Sequence, residues 1–255
     1  MTARSKNKTA PARAASPPAQ NGFSLISNPK LLALYAAMLK CRTVAERSRI
    51  LLKKSKLTGS HSSILGHEAA AAGVAIDLFP EDTIAPAHWA HSPFRGINPS
   101  VTVAATLNLA TRAAMANKDN KNNKIAVAFS SARAASLPSW QKALNLAAIH
   151  SLPILFVSLH PLEAKPAGLE RQTRVEDIQL KTKDYAFPII IADGNDAVAV
   201  YRVASEAIAH ARKGHGPTLI VCRRWNAGDP LLNLENYLIR KGLFSKEFKQ
   251  PLAAG

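Results

Sequence analysis

From Lys124 onward the chain alternates short apolar runs with segments of helical periodicity, and no other feature restricts the fold as strongly. The runs "IAVAF" (125–129), "ILFVS" (154–158), "PIIIA" (188–192) and "PTLIVC" (217–222) contain almost no polar residue. Such runs suit strands covered on both faces, because a strand with one wet face alternates apolar with polar. Between the first two, Trp140, Ala143, Leu144 and Ala147 follow the i, i+3, i+4, i+7 spacing of a helix. Further helices are predicted near Val175–Lys183 and over Asp196–Lys213. Strands separated by helices of this length predict an α/β chain: a parallel sheet with helices on both faces.

The punctuation agrees. Gly194-Asn195-Asp196 opens a helix with cap-type residues, Arg212 and Lys213 sit in its last turn, and Gly214 ends it. Asp229-Pro230 is an N-cap and N1 pair for a final helix through Leu231, Leu234 and Leu238, stopped by Gly242. Ahead of the alternating region, Leu31, Tyr35, Met38, Leu39 and Leu51 predict one long basic helix over Asn28–Lys56. An alanine-rich helix follows from about Gly66, able to pack closely against a neighbour.

The net charge of +16 is concentrated at the front. Residues 1–56 hold twelve Lys/Arg and one acid, Glu46, which leaves twenty-one bases and sixteen acids for the rest. Residues 1–27 read as a disordered basic tail and 28–255 as one domain. The basic front end makes an acidic or nucleic-acid partner for residues 1–56 one reading, as a basic adaptor. No apolar run reaches the ~20 residues of a membrane span, and Cys41 and Cys222 read as buried thiols, so a cytoplasmic setting is expected.

Six fragments carry a resemblance: "LLALYAAMLKCRTVAER", "GHEAAAAGVAIDLFPEDTI", "KALNLAAIHSLPILFVS", "ERQTRVEDI", "DGNDAVAVYRVASEAIAHARKGHGPTLI" and "DPLLNLENYLIRKGLFS". In this order the chain resembles the alpha subunit of the decarboxylating component of 2-oxo-acid dehydrogenases such as pyruvate dehydrogenase. The resemblance implies a thiamine-diphosphate-binding fold, thiamine diphosphate and Mg²⁺ as cofactors, and a beta-type subunit or a second copy as partner. It also implies that the chain is shortened at about 97–124 and 225–229.

In that family a G-D-G loop and a later asparagine hold the diphosphate and its Mg²⁺. Glycines let the backbone approach, and the two polar side chains supply oxygen ligands. The corresponding positions here are Ser131, Ala132 and Arg133, then His160 and Pro161, so both metal-ligand positions, Ala132 and Pro161, lack an oxygen donor. Only twelve glycines occur in 255 residues. The expectation is therefore an alpha-type subunit that has lost its metal and diphosphate ligands and serves assembly, through the alanine-rich segment Ala69–Ile76.

The alternative is an active subunit carrying out oxidative decarboxylation of a 2-oxo acid with replacement oxygen ligands, to be sought at Asp193, Asp196 and Glu163. His61 and His88 are the candidates for catalytic histidines: the resemblance puts the family's histidine on Ser62, one place from His61, and its Tyr-Arg pair on His88 and Trp89. His88 and His91 in "HWAH", with His61 and His67, form an imaginable metal set, but no cysteine joins them. Glu68 is expected to satisfy N–H groups at a helix start. Ser130, Ser131 and Ser136 lack a G-x-S-x-G elbow, and Ser136 is expected to cap the following helix. Arg223 and Arg224 beside Trp225 read as an interface or solvated strand end.

Overall fold

The computed structural model describes residues 26–54, 65–86, 103–132, 134, 137–160, 187–224 and 228–244. The helix predicted near Val175–Lys183 and residues 1–25 lie outside them. Among the described residues five strands form one parallel sheet: β1 Thr83–Pro86, β2 Ala126–Ser131, β3 Ile154–His160, β4 Ile189–Asp193 and β5 Thr218–Arg223, in the order β1-β2-β3-β5-β4. The helices are α1 Asn28–Lys54, α2 Glu68–Ala75, α3 Val103–Asp119, α4 Pro138–Ile149, α5 Ala197–Arg212 and α6 Pro230–Arg240.

The central strands are apolar throughout because both faces are covered. Ile125 and, on β2, Val127 and Phe129 join Leu155, Val157 and Leu159 of β3 and Ile220 and Cys222 of β5 under α2 and α5. The intervening residues, Ala126, Ala128, Ile154, Phe156, Leu219 and Val221, face α3 and α4. There Trp140 meets Phe156 edge-on at 5.6 Å between ring centres. Two elements escaped the sequence reading: the short strand β1, and α3, which occupies most of the 97–124 span expected to be shortened.

A further layer lies over α2. Leu31, Leu34, Tyr35, Met38 and Leu39 of α1 and Leu231, Leu234 and Leu238 of α6 enclose Ala69 and Ala72, and Ile26, within the span read as tail, is buried with them. All eight residues of α2 are buried within this one chain. This corrects the expectation that the alanine-rich helix is a surface for assembly. Its small side chains serve an internal approach: a Cβ on Gly73 would stand 2.9 Å from Val200 Cγ1 and 3.1 Å from the backbone N of Tyr201.

The caps formed largely as read. Asp196 accepts from the N–H groups of Val198 and Ala199, and Asp229 from those of Leu231 and Leu232. The exception is α4, whose N-cap is Leu137, with no side-chain cap bond; Ser136 lies outside the described residues. Proline at the first turn explains this start, since its missing N–H needs no partner. At the N-terminal edge of the sheet, Asp82 accepts from Arg212 at 2.5 and 3.1 Å and from the N–H groups of Phe79 and Ile125. It thereby ties the start of β1 to β2 and α5.

Candidate functional site

In a parallel sheet the strand ends where connections depart to opposite faces open a crevice. Here β2 leads to α4 on one face and β5 to α6 on the other, so the crevice lies at the C-terminal ends of β2, β3 and β5. The register sets Ser131 beside Leu159 and His160 beside Arg223. The positions that resemble the G-D-G loop and the asparagine thus come to neighbouring strand ends.

Their chemistry differs from the family's. Ser131 ends β2, Ala132 puts an 8% exposed methyl next to it, and His160 is 6% exposed, its Nε2 at 3.1 Å from Ser158 Oγ. Arg133, Pro161 and Glu163 lie outside the described residues, as do His61, His88, His91 and Trp225. Among the described residues no three His, Cys, Asp or Glu side chains gather to hold a metal.

The acids named as replacements are engaged or remote. Asp196 is the N-cap of α5. Asp193 ends β4 and accepts from the N–H of Asn195 at 2.9 Å. It is three strands from β2, roughly 14 Å at the usual strand spacing, so its carboxylate cannot serve the Ala132 position. Glu68 is fully buried, taking Arg42 Nε at 2.6 Å on one oxygen and the N–H of Gly66 at 2.9 Å on the other. It satisfies a backbone donor before a helix, as expected, and is half of an ion pair the sequence did not reveal.

Sequence reasoning also missed the arrangement around Arg224. Its Nε donates to Asn195 Oδ1 at 2.9 Å, and its Nη1 lies 2.6 Å from where a Cβ on Gly66 would stand. The space that glycine leaves is taken by the guanidinium of Arg224. His67 precedes α2 with its Nδ1 buried and unpartnered. Burial, then the charge of Arg224, lowers its pKa to about 4, so the imidazole is neutral near pH 7. The sequence signals were present separately, in "CRRW", "GND" and "GHE", but nothing local joins them.

Hydroxyls, imidazoles and a guanidinium are a poor set for a hard divalent cation, which takes carboxylate and carbonyl oxygens. With Ala132 at the ligand position and no glycine at the end of β2, the described residues do not fit a Mg²⁺-bridged thiamine diphosphate.

Comparison with known proteins identifies the lineage. The profile of the family described as dehydrogenase E1 component matches residues 94–228, more than half of the chain. The alpha subunit of acetoin:2,6-dichlorophenolindophenol oxidoreductase of Bacillus subtilis is 27% identical over 239 residues, covering 80% of this chain and 72% of that one. The alpha subunit of 3-methyl-2-oxobutanoate dehydrogenase of Mycobacterium tuberculosis is 32% identical over 178 residues, covering 61% and 48%. The pyruvate dehydrogenase E1 component subunit alpha of Staphylococcus aureus is 24% identical, covering 87% and 74%. Among solved structures, benzoylformate decarboxylase of Polynucleobacter necessarius aligns at TM-score 0.47 and 12% identity, over 66% of this chain and 35% of that one. The alignments span from about half to three quarters of these curated relatives' length. The chain belongs to the dehydrogenase E1 component family and is of its alpha-subunit type.

Proposed function

We propose that this protein is a non-catalytic alpha-type subunit that supports assembly with a beta-type chain. The observation that carries the reading is the buried methyl of Ala132 at the end of β2, the position where the family's loop supplies an oxygen ligand. A further feature supports it: the acids Asp193 and Asp196 are committed to turns and caps. The hydrophobic layers pack without any metal among the described residues, so the fold does not depend on one. The names of the matched relatives, all alpha subunits, support a beta-type partner over a homo-oligomer. With α2 enclosed, the docking surface lies elsewhere than Ala69–Ile76.

Titration with thiamine diphosphate at millimolar Mg²⁺ is expected to release no saturable heat. Purification of the tagged chain from its own cells is expected to recover a dehydrogenase-type beta chain in stoichiometric amount. Saturable, Mg²⁺-dependent binding would overturn the loss of cofactor, and a partner-free monomer would overturn the assembly role.

A further inference from the structure

We infer that Arg224 and His67 form a binding face for a small tetrahedral oxyanion, a phosphate group held without a metal ion. Arg224 is unusual among the partly buried arginines. Arg42 spends its guanidinium on Asp229 and Glu68, and Arg212 spends its own on Asp82 and a backbone carbonyl. Arg224 has no carboxylate partner among the described residues: Nε goes to Asn195 Oδ1, and one terminal nitrogen reaches Gly228 O only at 3.4 Å. Among the described residues the rest of its donor fork is unspent.

That fork is also fixed. Asn195, 1% exposed, holds Nε, and Nη1 lies against Gly66, where any side chain would displace it. A preoriented fork loses little entropy when an anion arrives. His67 supplies a second unspent group, the unpartnered Nδ1, next to Gly66, where the charge of Arg224 bears on its ring.

Charge balance points the same way. The nearby carboxylates are committed: Glu68 to Arg42 and Gly66, and Asp193 to the Asn195 N–H two residues on. Arg224 itself has no carboxylate to balance it among the described residues, which favours an anionic ligand. A carboxylate would satisfy the fork alone. A phosphate group keeps a third oxygen for the imidazole, which approaches from another element. The inference rests on the loss of the metal ligands proposed above, because a bridging Mg²⁺ would already neutralise such a ligand.

The test uses the full chain in EDTA at pH 7, titrated with inorganic phosphate against sodium chloride at matched ionic strength. Saturable phosphate binding is expected, weakened tenfold or more in Arg224→Gln and less in Arg224→Lys, which keeps the charge but not the fork. No saturable binding to the wild-type chain, or equal affinity in Arg224→Gln, would overturn the inference. Should Arg224→Gln fail to fold, imidazole ¹⁵N shifts of the wild-type chain decide instead. Phosphate is expected to move the His67 Nδ1 signal, assigned with His67→Gln, and an unmoved signal would overturn the proposal. Failure of the functional reading is distinguishable, since it shows as thiamine diphosphate binding that requires Mg²⁺ and vanishes in EDTA.

Discussion

Arg42 on α1 grips both carboxylate oxygens of Asp229, 187 residues later, at 2.8 and 3.0 Å, while its Nε holds the buried Glu68 at 2.6 Å. One guanidinium thus joins the long first helix to the N-terminal ends of both α2 and α6. Its partners differ in environment: the Asp229 side chain is 42% exposed and that of Glu68 not at all. Removing the cation leaves Glu68 as an uncompensated buried charge, which typically costs about 3–5 kcal/mol. Arg42→Met should therefore destabilise the chain more than Asp229→Asn does, because asparagine still caps α6. Adding Glu68→Gln to Arg42→Met should recover part of the loss; urea midpoints of the three variants check the order.

The contact between α2 and α5 is closer than side chains allow at Gly73. An added methyl meets both Val200 and the backbone at Tyr201, and backbone cannot step aside as a flexible side chain can. Gly73→Ala should cost about 1–3 kcal/mol by overpacking, despite the better helix propensity of alanine. Val200→Ala, by removing the atoms nearest the new methyl, should partly rescue it. A double-mutant cycle of thermal midpoints measures that coupling, and simple additivity would contradict the packing account.

The legibility of this fold tracks burial. Strands β2, β3 and β5 were plain in the sequence because helices cover both faces, which leaves unbroken apolar runs. The short edge strand β1, "TIAP", carries too few residues for any period to show and ends in proline. Helix α3 was hidden by its composition: alanine and asparagine populate both its buried and exposed faces, so contrast between faces is low. At the candidate site the strand-end positions of Ser131, Ala132 and His160 were legible through the family's order of motifs. The pairing of Arg224 with Asn195 was not, because it joins the loop after β4 to the end of β5 across a strand pairing that only the folded sheet creates.

His67 makes stability depend on pH. Its folded pKa falls to about 4 from an ordinary 6.5, chiefly through burial and then through Arg224. Below pH 6.5 the unfolded chain takes up a proton that the folded chain refuses until about pH 4. Stability is therefore full above 6.5 and falls through that window, by up to about 3 kcal/mol in all. Asp229, whose pKa Arg42 lowers, begins to add its own loss only below its ordinary value of 3.8. His67→Gln should flatten the midpoint-against-pH curve between 6.5 and 4, while Asp229→Asn should leave that interval unchanged.

Placing the family's ligand types at these positions tests the proposed loss of the metal site directly. Ala132→Asp puts a carboxylate where an 8% exposed methyl now packs at the end of β2. Without a cation the buried charge costs stability or is protonated, so the single variant should melt below wild type. The combination of Ser131→Gly, Ala132→Asp, Arg133→Gly and Pro161→Asn supplies both oxygen ligands and the backbone freedom of the family's loop. A rebuilt site would recover the deficit by mass action, about 2.7 kcal/mol at a hundred times the dissociation constant. Yet Arg224 still fills the space beside Gly66 and still places a fixed positive charge at the same edge, which disfavours a divalent cation. The combined variant should therefore gain only a small rise in melting temperature from Mg²⁺ and thiamine diphosphate. Adding Arg224→Gln should enlarge that rise. A full rise before Arg224 is changed would show that the loop alone was lost and that the rest of the cofactor site is intact.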